Sequence, residues 1–118
     1  MLKIRPEQMQ AIETNYKNRR REELWSKFKA DYPVLSKNIK DKKGIEIISG
    51  CVDDGKKLDI IDNVDIIRFS ALAFLPEKIR HDDWLSSIII RILHNENLSA
   101  KERLSFLFDN VIDKKYIL

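Results

Sequence analysis

Apolar residues along this chain recur at three and four positions, the spacing of one face of an α-helix. Alternation at two is scarce. The one Asp-Gly pair, Asp54-Gly55, is followed by Lys-Lys and by no strand pattern. The first predicted helix begins near Pro6, where a missing N–H costs nothing, with Glu7 adding a favourable charge. Its stripe runs Met9, Ile12, Tyr16, Arg20, Leu24, Phe28, and Tyr32-Pro33 ends it. Arg20 interrupts the stripe. Three readings are open there: methylenes laid on the core with the head in water, a break between two helices, or a contact with a carboxylate of a partner. A second helix runs from about Ile39 to Lys57, with Ile45, Ile48 and Val52 as its dry face and Ile47 and Cys51 beside them. Gly44 and Gly50 each cost it about 1 kcal/mol relative to Ala, which points to close packing or to a start nearer Gly44. Leu58-Asp59-Ile60 is the turn.

Asp62 and Asp65 form a variant capping pattern for a third helix, in which Val64, Ile67, Ala71, Leu72 and Leu75 face inward with Phe74 near. Pro76 closes it, and EKIRHDD connects it to a fourth. Asp82 or Asp83 caps that helix, whose core residues are Trp84, Leu85, Ile88, Ile89 and Ile92, and Asn95 supplies a left-handed exit. Apolar nearly all round, it is expected at the centre of the fold. The fifth helix opens on a complete capping box, Ser99 to Glu102, and turns Leu104, Leu107, Phe108 and Val111 inward. The expectation is an all-α fold: a single compact bundle of about five helices, one domain over residues 1–118, with a central apolar fourth helix.

Composition sharpens this picture. Charged residues make up 35% of the chain, against a usual value of about 25%, which calls for heavily solvated outer faces. Residues 1–43 carry twelve Lys/Arg and six Asp/Glu, a balance of +6, and the remainder carries −3. Such polarity speaks to association with an acidic partner or to internal compensation, and not to fold. Cys51 is alone, so no internal disulfide forms and a reducing compartment is the natural setting. The opening MLKIRPEQMQ has no apolar core of a signal peptide, and Ile88-Ile89-Ile90 falls far short of the roughly 18 residues of a membrane span. The protein is therefore expected in the cytoplasm, away from membranes.

Candidate chemistry is thin. Lys17, Arg19, Arg20, Arg21, Lys27 and Lys29 lie among Trp25 and Phe28, a pattern shared by nucleic-acid binders and by ordinary helices with one wet face. Glu22 and Glu23 dilute the run, and a net charge of +3 predicts little phosphate affinity. The run reads better as a solvated or docking face. Asp53, Asp54, Asp59, Asp62 and Asp65 do not follow calcium-loop spacing. His81, His94 and Cys51 are too few and too scattered for zinc, and Cys51 beside a dry stripe is no evident nucleophile. No Gly-rich phosphate loop or nucleophile elbow occurs. No catalytic, cofactor-binding or metal residue is assigned, and an enzyme is not expected.

IRPEQM at Ile4–Met9, Tyr32-Pro33, the Leu58-Asp59-Ile60 turn, RFSALAF at Arg68–Phe74, WLSSII at Trp84–Ile89 and LSAKERLSFLF at Leu98–Phe108 carry a resemblance over nearly the whole chain. The sequence resembles a family of small helical proteins encoded beside type VI secretion spike-tip and effector genes. It departs from the family pattern at Leu58-Asp59-Ile60, where Tyr-Gly-Ile is the tendency, and at Gly55, where a small Ala is usual. The resemblance implies an accessory protein without catalytic residues. An adaptor or chaperone for an effector is the first reading, and an immunity protein neutralising a toxin of its own operon is the alternative. A weak nucleic-acid-binding regulator is the third. The partner is expected to be another protein encoded nearby, held on the first helix by Arg19, Arg20, Arg21, Trp25 and Phe28, with the competing reading that Trp25 and Phe28 are core.

Overall fold

A computed structural model of the chain describes residues 6–117, with side chains from Tyr16 onward. Seven α-helices and no strand occur among the described residues: α1 Pro6–Asp31, α2 Pro33–Ser36, α3 Asp41–Lys57, α4 Asn63–Ala73, α5 Glu77–Arg80, α6 Asp83–Leu93 and α7 Ala100–Phe106. α7 continues as a π-helical turn, Leu107–Val111, and a 3-10 turn follows at Lys114–Tyr116. The five helices expected from periodicity are α1, α3, α4, α6 and α7. α2 and α5 are single turns inside connections, too short to leave a periodic signal. No helix among the described residues is long and apolar enough to cross a membrane.

α1 runs unbroken past Arg20. Of its stripe, Leu24 and Phe28 are buried with Trp25 beside them, and Tyr16 is exposed; the side chains of Met9 and Ile12 lie outside the described residues. The continuous helix removes the reading of a break at Arg20. Its Nε and Nη2 donate to Asn63 Oδ1 at 3.2 and 3.1 Å, and Nη2 also donates to the Ile61 carbonyl at 3.1 Å, pinning α1 to the entry of α4.

Trp25 and Phe28 stack on each other and on Phe74 of the α4 exit, with ring centroids 4.5–5.8 Å apart. α3 reaches this cluster only because residue 44 lacks a side chain: a Cβ there would overlap the six-membered ring of Trp25. The indole N–H donates to Asp41 Oδ1 at 2.9 Å, and Lys29 Nζ meets the same oxygen at 3.0 Å. Those two donors, the Trp25 bond first, hold the Asp41 carboxyl below its ordinary range. Gly50 is different. Open space surrounds it, so the close-packing reading holds for Gly44 alone. Gly55 stands in the last turn of α3, its carbonyl accepting from the Leu58 and Ile60 N–H groups, with the Ile60 carbonyl 2.7 Å from where a Cβ would stand. Asp59 holds the left-handed turn at φ 61°, as its small polar side chain allows.

α4 turns Ile66, Ile67, Ser70 and Ala71 inward. Val64, expected inside, is exposed, because α4 turns Asp65, Ile66 and Ile67 toward the core and leaves Val64 on the outer side. Asp62 is the N-cap by position, yet its side chain accepts no capping bond, so the Asp62/Asp65 pattern is not a capping box. Asp82, by contrast, caps α6 by accepting from the Leu85 N–H at 3.0 Å. The Ser99–Glu102 box is complete, with bonds of 3.1 and 3.2 Å, and the Ser99 N–H holds the Glu102 carboxyl below its ordinary range. Asn95 is not left-handed: among the described non-glycine residues only Asn38 and Asp59 have positive φ.

The central apolar helix of the sequence reading is overturned. α6 lies at the edge, packed against α5, α7 and the π turn. Leu93 is its one buried residue, and Ile89 and Ile92 lean on the core. The centre is instead shared by α1, α3, α4 and α7. What fixes the C-terminal end of α6 is polar. Arg103 of α7, only 7% exposed, donates from Nη1 to the Leu58 carbonyl at 2.7 Å and the Leu93 carbonyl at 2.9 Å, and from Nε to the Leu98 carbonyl at 3.0 Å. Two of those carbonyls close α3 and α6, where the helix dipole is negative, so the guanidinium is compensated without a carboxylate.

Two predictions follow from the α1–α3 contact. Gly44→Ala should destabilise by about 1–3 kcal/mol through overpacking. Gly50→Ala should stabilise by about 0.5–1 kcal/mol by relieving backbone entropy in an open helix position. Urea unfolding of the two variants checks the opposite signs. Asp41 and Glu102 have depressed folded-state pKa values, so the stability they supply is present above the ordinary carboxylate range and disappears as pH falls through the folded values. The stability gap between wild type and Asp41→Asn should accordingly close in acid, as measured by urea midpoints from about pH 7 to about pH 2.

Candidate functional site

The α6 sequence DWLSSIIIRIL has more apolar surface than the fold covers. The helix turns about 100° per residue, so Trp84, Ile88 and Ile92 lie along one stripe, with Leu85 beside it. Only the Ile92 end of that stripe packs on the core; Leu85 and Ile88 are half-buried without joining it, and Trp84 is 73% exposed. Ile90, on another flank, is 56% exposed. Polar neighbours Asp83, Ser87 and Arg91 rim the stripe. The exposed indole of Trp84 thus continues, through half-buried Ile88 four residues on, into the part of α6 that packs on the core. Exposed apolar area of this kind marks interaction sites more than it serves the fold.

The sequence-predicted contact residues are divided by the structure. Trp25 and Phe28 are core, the competing reading given above, and are closed to a partner or a nucleobase. Arg20 is tied to Asn63 and Ile61, and Arg21 Nη2 meets Asp53 Oδ1 at 3.4 Å. Arg19 is exposed. The five residues thus form no single surface. The apolar run predicts Trp84 in the core, where the structure exposes it, and nothing in that run distinguishes a covered helix from an uncovered one.

Cys51 is buried, and burial pushes its thiol pKa up. Among the described residues no hydrogen bond joins either imidazole to it. His94 Nδ1 sits 2.9 Å from the Ile90 carbonyl and faces an opening lined by Lys56, Leu58, Glu96 and Arg103, while His81 lies 3.8 Å from Glu77 on the exposed α5 turn. Among the described residues no three His, Cys, Asp or Glu side chains converge to hold a metal ion. The site's capacity is for contact: an apolar helix face with a polar rim. Compared with protein-family models, curated proteins and solved structures, the chain matches none.

Arg20→Ala should lower stability by about 1 kcal/mol, since three donor contacts between α1 and the α4 entry are lost. Arg19→Ala, on the exposed face, should stay within about 0.5 kcal/mol of wild type. Thermal or urea unfolding separates the two.

Proposed function

We propose that the protein is a non-enzymatic, protein-binding accessory, adaptor or chaperone-like, for an effector of a type VI secretion module. The observation that carries a binding role is Trp84, large and aromatic, held in solvent on an otherwise apolar helix. A free adaptor needs such a face, and an indole is among the strongest anchors of protein interfaces. The secretion setting comes from the sequence resemblance, and the exposed α6 face supplies a surface on which that role can be performed. The contact surface is thereby moved from the arginines of α1 to Trp84, Leu85 and Ile88 of α6.

Trp84→Glu should leave the fold intact, because the side chain stands in water, and should cut capture of the effector-module protein by more than about tenfold, the loss of one central aromatic anchor. The check is a pull-down from the native host with wild type and variant side by side. Capture that is unchanged in the variant removes α6 from the reading. Self-killing on deletion of this gene, rather than failed secretion, would turn the reading to an immunity protein.

A further inference from the structure

The segment that joins α3 to α4 is rich in carboxylates. Asp59, Asp62 and Asp65 line a cavity of about 340 Å³ together with Ile61, Ser99 and Ala100, between the starts of α4 and α7. Lys101 also lines it, so carboxylates outnumber ammonium groups three to one. Asp65 is the unusual member. It is only 4% exposed, and among the described residues no hydrogen-bond donor or cation reaches its carboxylate. Since no fully enclosed side-chain oxygen among the described residues lacks a partner, the Asp65 oxygens keep some contact with solvent, and the residue lines this opening.

A carboxylate so nearly buried is costly unless something compensates its charge. The positive end of α4 offsets part of that cost, as for any acid in a first turn. It supplies no donor to either oxygen. The capping pattern that would have used Asp65 is not formed, so helix initiation does not account for the geometry. A metal ion is not the fitting occupant, because the carboxylates do not converge as a ligand set. The walls are apolar where Ile61, itself exposed, and Ala100 contribute. A side chain with a methylene stem and a cationic tip matches both features, with its stem on Ile61 and its charge at Asp65.

We propose that this cavity, lined by Asp59, Asp62, Asp65 and Ile61, receives one arginine or lysine side chain from a partner polypeptide of different sequence. No α6 residue lines it, so the pocket and the α6 face are separable surfaces.

The test is an NMR titration of the full, ¹⁵N-labelled chain with N-acetyl-arginine amide, with N-acetyl-citrulline amide as the neutral isostere. Saturable shifts are expected at the Ile61, Asp65 and Ala100 amides with the arginine compound and not with citrulline. Asp65→Asn should weaken binding by about tenfold or more, as removal of a charge-assisted contact does, while its melting temperature stays at or above that of wild type. Shifts no larger than those with citrulline, or binding undiminished in Asp65→Asn, overturn the proposal. The wild-type pair of titrations decides by itself if the variant does not fold. Shifts of the same amides on simple concentration of the protein would place a second copy's basic side chain there, and overturn the assignment to a different chain.

Discussion

One buried guanidinium holds the two halves of this bundle in register. Arg103 takes the carbonyl that closes α3, the carbonyl that closes α6 and a third from the loop before α7. Hydrogen bonds from a charged donor contribute about 1.5–3 kcal/mol each, more than an exposed apolar contact could give. α6 therefore does not need a buried flank along its whole length. It is anchored at its C-terminal end, by Leu93 and by Arg103, and its N-terminal turns stand clear of the core. The exposed Trp84 is a consequence of that attachment.

The other half of the fold depends on an aromatic cluster and a missing side chain. Trp25, Phe28 and Phe74 fill the centre, and α3 comes close enough to cover them because Gly44 presents bare backbone to the indole. Asp41, at the first turn of α3, fixes the indole from its polar edge and draws in Lys29. Arg20 adds a second tie from α1 to the α4 entry. The basic residues of α1 that looked most like a recognition surface are thus partly structural, and the protein is left with an apolar face on α6 and an acidic pocket at the α4 entry.

Much of this architecture was readable in the chain. The 3.6-residue period located α1, α3, α4, α6 and α7, and the Ser99–Glu102 box and the Asp59 turn were local enough to read directly. What failed were statements about which faces pack inside the fold. An apolar helix reads as buried when its period is all that is known, and Arg103, which as a sequence letter is an ordinary surface cation, gives no sign that it holds the C-terminal end of α6. Val64 and Ile66 show the same limit: both are apolar, and the orientation of α4 against α3 and α7 decides that Ile66 is inside. Asp65 was legible as a helix-start acid and not as an unpartnered one, because partners come from the tertiary fold.

The central claim is that α6 stands at the edge of the free protein with its indole in water. The two tryptophans make this directly measurable, because one is buried and one is exposed. In wild-type protein carrying a soluble paramagnetic chelate, the indole N–H signal of Trp84 should broaden strongly while that of Trp25 persists, with Trp84→Phe identifying the signals. Equal protection of both indoles would mean that α6 is covered, and would contradict the account.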